Sequence, residues 1–465
     1  MEQQCRQPNT QLSEFLDTYR VSRKALAHLV NGLAAAEGRP TAYKHTSVGN
    51  WIDGMRPKDP VPQLIAAALG ARIGRTVHLD EIGLGTAREW DDLVGWNFPR
   101  DRADAVRGVQ DYWSTETVNR RDVLTGGGAY AAAAYFTPVT RWLARPADAT
   151  AEQSRGRRIG RSEIANLWES ADQARRWDSK FGGGDWRSSA VAQCLTRQAV
   201  PLLGGSYSDA AGRELFSATA ELARVVAWSA FDSGRHAVAQ QHFIQALRLS
   251  KAGGSIEMGA YVLSTMALQS MLQGHPDEAA DMALGAYERA KGHAAPRVLA
   301  FAKLAEARAH GRLGNTAAAI AALDRSEQLL HQVHRGTHDP AYLDYFTEAR
   351  IAADAAEIFR DLHQPVRSLA WNQRAAAMPA DRFARATGIR HAVVATSHLQ
   401  ARDLDRGLLA GRQAVEILSG VTSIRTTSYL TTVTNALAPW RGEGAVRELV
   451  DTISRSTGVP AAITA

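Results

Sequence analysis

Over residues 11–84 apolar positions recur every three or four residues in short runs, the beat of several helices turned toward one small core. Leu12, Phe15, Leu16 and Tyr19 share a helix face behind Thr10 or Ser13 as N-cap, and Ala25, Leu26, Leu29 and Val30 repeat the pattern behind Ser22. Small Ala27 suits a close crossing of this second helix on its neighbour. Gly32 to Thr41, rich in Gly, Ala and Pro, reads as a loop. Tyr43–Pro62, YKHTSVGNWIDGMRPKDPVP, then sets Lys44, His45, Thr46 and Ser47 ahead of Val48 and Trp51 at helical spacing, stops at Gly54 and turns at Pro57 and Pro60. Leu64, Ile65, Ala68 and Leu69 predict a fourth helix that closes the core, and Val77 to Leu84 a short fifth element.

From 85 to 158 the beat is lost. Trp90, Trp96, Pro99, Trp113, Gly126-Gly127-Gly128, Pro138 and Pro146 interrupt any long period, which predicts an irregular connector with a few short helices. Asn119–Pro138, with Arg120-Arg121 ahead of a small apolar run, resembles a twin-arginine export signal, but it lies too far inside the chain to act as one; a linker helix packing its alanines on the rest is expected instead.

From 159 to 465 the helical beat returns and repeats. Gly234, Ala239, Phe243 and Ala246 recur as Gly274, Ala279, Ala283 and Ala286, and again as Gly314, Ala319, Leu323 and Ser326. The step is 279 − 239 = 319 − 279 = 40 residues, with weaker copies at Ser368 to Ala375 and Gly407 to Ala414. A fixed period of this length predicts a solenoid of helix pairs, with small residues where the two helices of a pair cross closely. The fold class expected is therefore all-α, a small helical domain followed by an α-solenoid, rather than an unrepeated alanine-rich bundle.

The polar front of Tyr43–Pro62, backed by Val48 and Trp51, is the pattern of the reading helix of a helix-turn-helix. A formal charge of +6 and an isoelectric point near 9.4 agree with a nucleic-acid partner but do not by themselves require one. Only two cysteines, Cys5 and Cys194, far apart in sequence, suit a reducing cytoplasm, and no run of eighteen apolar residues predicts a membrane span. No G-x-x-x-x-G-K-[ST] loop, serine elbow or Cys/His pair is present, and Gly83 and Gly85 precede no strand-helix unit, so neither an enzyme nor a cofactor is expected. His331, His334, His338 and Asp339 have the spacing of metal ligands on one helix face, but Gly336 breaks that helix and no metal is expected.

The pattern S-x-x-x-W-x-x-G-x-x-P, here Ser47, Trp51, Gly54 and Pro57 with Leu64 and Leu69-Gly70 behind it, resembles the five-helix heads of Xre-type, lambda-repressor-like regulators, although the loop before it is long. The repeats match the small and aromatic positions of tetratricopeptide repeats, with a period longer than the usual thirty-four. With the phrase Leu167–Arg187, LWESADQARRWDSKFGGGDWR, in which Asp178 and Gly182-Gly183-Gly184 match most tightly, the chain resembles actinobacterial regulators that join such a head to such a body. Negative regulators of sporulation and antibiotic production in Streptomyces are among them.

That resemblance implies which residues would meet DNA. Lys44, His45, Thr46 and Asn50 align with base-reading positions, with Asn50 suited to adenine, Lys44 and His45 to guanine and Thr46 to a thymine methyl. Ser22, Arg23 and Lys24 at the start of the second helix, with Arg56 and Lys58, would hold phosphates, and Gly49 would allow close approach to the DNA backbone. In the body the first helix of each pair would line a groove through Arg224, Trp228, Phe231, Tyr261, Met271, Phe301, Arg308, Arg350, Glu357 and Arg360, a surface for a peptide, an acidic segment or an anionic small molecule. The resemblance further implies a homodimer on double-stranded DNA whose body pairs the copies and senses an effector. The alternative is a scaffold whose head has lost DNA binding and whose repeats recruit a partner protein.

Overall fold

A computed structural model describes residues 8–36, 41–55, 57, 61–73, 77, 82–84, 96, 98–99, 101–118, 130–144, 158–181, 187–334, 336–379, 383–421 and 423–458. The chain divides into two units, Met1–Val94 and Gly95–Ala465, and all regular structure among the described residues is helical.

In the first unit α1 (Thr10–Thr18), α2 (Arg23–Ala36), α3 (His45–Ile52) and α4 (Val61–Ile73) surround a core built from Leu12, Phe15, Leu16, Leu26, Val48, Trp51, Ile65 and Leu69. The N-cap of α1 is Asn9, one residue before the Thr10 expected from sequence. Its Oδ1 accepts from the Leu12 amide at 3.0 Å, and its Nδ2 donates to the carbonyls of Ile82 and Gly83 at 2.9 and 3.1 Å, so one side chain ties the two ends of the unit together. Gly83, at φ +61°, has room for no Cβ against that amide. Tyr19 is exposed and lies on the Phe15 ring, outside the core where its spacing had placed it. Helix α2 runs on through Gly32, so the expected loop is shorter than the Gly and Ala content suggests.

In the second unit, six successive pairs form one array: α9 (Asp209–Asp232) with α10 (His236–Ala252), α11 (Ile256–Leu272) with α12 (Pro276–Ala290), α13 (Pro296–Arg312) with α14 (Thr316–Leu330), α15 (Glu348–Asp361) with α16 (Pro365–Ala375), α17 (Ala384–Gln400) with α18 (Leu404–Leu418), and α19 (Ile424–Leu437) with α20 (Gly444–Thr457). First helices of neighbouring pairs lie side by side from α9 to α19. Ahead of them come α5 (Arg102–Val118), α6 (Phe136–Ala144), α7 (Arg161–Phe181) and α8 (Arg187–Cys194), the last running into a π-helical turn at Leu195–Ala199.

Most pairs turn in three residues whose middle one is left-handed. Gly234, Gly274 and Gly314 take φ values of +77°, +88° and +73°, and the residue after each donates its amide five residues back, as Arg235 does to Ala230 at 2.9 Å. This is the Schellman closure, which needs a residue tolerant of positive φ. In the two pairs where the repeat is weak in sequence, His363 and Arg402 hold the same place at +55° and +63°. The small residues of the repeat sit where helices meet. Ala239, Ala279 and Ala319 are fully buried, and a Cβ on Gly407 would stand 2.7 Å from Leu399.

The segment expected as an irregular connector supplies part of this packing. Trp113 of α5 donates its Nε1 to His242 of α10 at 3.3 Å, and Trp142 of α6 lies under the Arg289 guanidinium at 4.5 Å and against Gly259 of α11, where a Cβ would meet the indole at 2.4 Å. Within Ala132–Tyr135 it is Tyr135, not the alanines, that is buried. No helix of the described residues is long and apolar enough to cross a membrane.

Candidate functional site

In the first unit the chemistry gathers on α3. Val48 and Trp51 are 0% and 4% exposed, and the Tyr43 ring meets the Trp51 indole edge-on at 5.2 Å. Lys44, His45, Thr46 and Asn50 are all exposed on the other face. Ser47 Oγ accepts from the Lys44 amide at 3.2 Å, which fixes the first turn. The approach to α3 is held from α2 by Asn31. Its Oδ1 accepts from Thr41 Oγ1 at 2.8 Å and from the Tyr43 amide at 2.9 Å, and its Nδ2 donates to the Tyr43 carbonyl at 2.9 Å. Nothing in the sequence pattern singles out Asn31, because its partners lie across a loop.

Ser22, Arg23 and Lys24 are exposed at the start of α2, where Ser22 Oγ accepts from the Ala25 amide at 3.1 Å. Gly49 is buried, and the Arg23 guanidinium stands 3.5 Å from the place of a Cβ, an ordinary contact distance. Arg56 and Lys58 lie outside the described residues.

In the second unit a cavity of about 820 Å³ opens between α7 and the first helices of the array. Arg224, Trp228, Phe301, Arg308, Arg350 and Glu357 line it. The other four residues expected there do not. Phe231 is buried behind Trp228 and the Arg425 guanidinium, Tyr261 lies beneath the Arg224 guanidinium at 4.8 Å with its hydroxyl 3.1 Å from that of Tyr345, and Met271 is buried in α11. Arg360 is held by Asp361 at 2.7 Å and Glu357 at 3.5 Å. A first helix is enclosed by its neighbours and its own pair mate, so only a narrow stripe of it reaches the cavity.

Helix α7 supplies much of the remaining wall, and the repeat pattern could not place it. Asp172, Arg175 and Arg176 line the cavity, with Arg175 reaching Asp344 at 3.5 Å and Glu221 at 3.6 Å, while Trp168, off the cavity, stacks on Tyr342 at 5.7 Å. Asp178, singled out by resemblance, accepts from Arg385 of α17 at 2.6 and 3.1 Å, while Gly182-Gly183-Gly184 lie outside the described residues. Arg385 also donates to Asp232 at the end of α9, as does Arg425 of α19.

These carboxylates are engaged by guanidinium groups rather than poised for proton transfer. Burial alone would raise the Glu357 carboxyl, but Arg308 at 2.8 Å, Arg360 and Arg312 hold it well below its ordinary value. Burial likewise works against Asp232, and Arg385 and Arg425 overcome it to leave it lowered. Tyr429, which donates to Glu357 at 2.8 Å, is pushed up to about 12 by burial and by that carboxylate. The histidines of the possible metal set diverge: His331 faces Glu348 at 3.5 Å, His338 faces Glu257 at 3.1 Å, and Asp339 is taken by Arg297 at 2.7 Å.

Comparison with curated proteins finds none that matches. The family model for the SP15 N-terminal domain matches residues 12–85, a stretch that takes in most of α1 and all of α2 to α4, so this part of the first unit is similar to that domain.

Proposed function

We propose that this chain is a sequence-specific DNA-binding transcriptional regulator, with residues 11–84 as a helix-turn-helix head of Xre type and a tetratricopeptide-like body for pairing and effector sensing. The observation that carries this reading is the division of α3: Trp51 and Val48 buried, Lys44, His45, Thr46 and Asn50 exposed. A short helix anchored on its back by an indole and presenting amide, hydroxyl and basic groups in front has the shape and chemistry to enter a major groove. Arg23 and Lys24 beside it would meet phosphates. The repeating helix pairs and three-residue glycine turns support the tetratricopeptide-like reading of the body, and the resemblance to actinobacterial regulators of development and antibiotic production supplies the biological setting.

A dimer follows from size, since one small head covers too little DNA for tight specific binding and two heads joined through their bodies multiply the effective concentration of the second. An effector that binds the body in only one of its arrangements would shift DNA occupancy by its differential affinity. The test is selection of bound duplexes from fragmented DNA of the source genome by the full chain. One recurrent sequence, present as a repeated half-site, is expected; recovery of fragments with no shared sequence contradicts the proposal.

A further inference from the structure

The cavity of the second unit has two unlike walls. On one side α17 turns Ala386, Ile389 and Val393 into it, one face of a helix, and Met378, Pro379 and Phe383 prolong that apolar surface ahead of the helix. The other side is ionic and largely self-neutralised. Arg224 is paired with Glu221 at 2.7 Å, Arg308 with Glu357, Arg350 with Asp354 at 2.7 Å, and Arg385 with Asp178. Arg390 departs from this order. It lines the same cavity from the same helix as the apolar strip, its Nη1 donates to the neutral Asn372 Oδ1 at 2.7 Å, and its Nε has no partner. No carboxylate among the described residues forms an ion pair with it, and burial lowers its pKa without an opposing charge to offset that.

We propose that this cavity binds a small amphiphilic anion, with one carboxylate-like or sulfonate-like group set against Arg390 and an apolar body laid along α17 between Phe383 and Val393. The proposal rests on the reading of the body as a sensing module and names the chemical class that it senses. The volume of about 820 Å³ falls within the range of small-molecule sites, roughly 300–1,000 Å³. An extended peptide is the poorer fit. Its backbone presents alternating donors and acceptors that neutral amides satisfy best, and no Asn or Gln is among the described residues lining the cavity, only the hydroxyls of Ser179, Thr265 and Thr347 besides charged groups and Tyr. A polyphosphate or a free inorganic anion would leave the apolar strip uncovered.

The test uses the full-length chain and two fluorescent probes of similar size, 1-anilinonaphthalene-8-sulfonate, which carries the anionic group, and N-phenyl-1-naphthylamine, which lacks it. The wild type is expected to bind the sulfonate about ten-fold or more tighter than the neutral amine, the margin of one charge-assisted hydrogen bond. Arg390→Gln should lose about that factor for the sulfonate and keep its affinity for the amine, which also reports that the variant retains its cavity. Arg390→Lys should retain most of the sulfonate affinity, and Ala386→Trp, which fills the apolar side, should lose both probes. The proposal is overturned if the two probes bind the wild type equally, if neither binds, or if Arg390→Gln binds the sulfonate as the wild type does. No DNA enters this measurement. A chain that behaves as expected here yet selects no duplex would keep this site and lose the regulator reading, and the converse result would do the opposite.

Discussion

Arg385 and Asp232 form a buried ion pair between the fifth and first helix pairs of the array, across 153 residues of sequence. Arg385 also grips Asp178 of α7 at 2.6 Å, and Arg425 of α19 takes the second oxygen of Asp232. Gly234, just after Asp232, lies close to Ile424, so polar and apolar contacts join the two ends of the array at the same place. Removing the shared carboxylate leaves two guanidinium groups with less charge to face. Asp232→Asn is expected to cost about 3–5 kcal/mol in urea unfolding of the full chain, whereas Asp232→Asn combined with Arg385→Met and Arg425→Met should recover much of that loss. A single substitution costing under about 1 kcal/mol would show that these ions are solvated rather than enclosed.

The Glu357 carboxyl gives the body an acid limit. Burial would raise it, but Arg308, Arg360 and Arg312 hold it below the ordinary 4.5, so the stability it supplies is complete above that value and fades as pH falls toward the folded pKa. The melting temperature should therefore decline progressively once pH drops below 4.5, and Glu357→Gln, already less stable at neutral pH, should decline less steeply over the same window. Parallel acid profiles for the two proteins would contradict this assignment.

Much of the helical plan is legible in the sequence because it is set by local chemistry. Leu12, Phe15, Leu16, Leu26, Val48, Trp51, Ile65 and Leu69 are spaced as helix faces and are buried, and Gly234, Gly274 and Gly314 mark turns that require a positive φ. What escapes the pattern depends on residues far apart in the chain. The Arg385, Asp178 and Asp232 cluster spans 207 residues, and α7 shows nothing in its own spacing to say that it lines a cavity. Helix α11 is buried along nearly its whole length from Met258 to Met271, so periodicity alone cannot separate Tyr261 and Met271, which lie off the cavity, from Thr265 and Leu268, which line it.

The weak copies of the repeat carry a cost that substitution should reveal. His363 sits at φ +55° where three other pairs have glycine, and its exposed side chain makes a 3.3 Å contact with Gln400. A left-handed residue with a Cβ loses about 1–2 kcal/mol, and glycine gives back about 0.5–1 kcal/mol through the unfolded chain. His363→Gly is thus expected to stabilise by up to about 1 kcal/mol, read as a shift in the urea midpoint at constant slope. Arg402→Gly should gain less, because the Arg402 guanidinium covers Trp440 at 5.7 Å. Destabilisation by His363→Gly would mean that the turn is held by something other than backbone geometry.

Asn31 should matter to DNA without touching it. Its three hydrogen bonds hold Thr41 and Tyr43 at the approach to α3. Asn31→Ala is expected to cost about 1–3 kcal/mol in stability and to weaken duplex binding at temperatures where the variant is still folded, since α3 loses its fixed angle. Equal affinity of the two folded proteins for the selected duplex would show that α3 is placed by the Trp51 anchor alone.

The central claim is tested most directly by titrating the full-length chain against its selected duplex over a range of salt, beside a scrambled duplex and the Lys44→Ala, Asn50→Ala double variant. The account predicts affinity that falls steeply and linearly on logarithmic axes with salt, preference for the selected sequence, and a loss of about 2–6 kcal/mol in the double variant with that preference largely gone. Binding that ignores salt and sequence, or is unchanged by removing Lys44 and Asn50 side chains, would contradict it and leave the scaffold alternative standing.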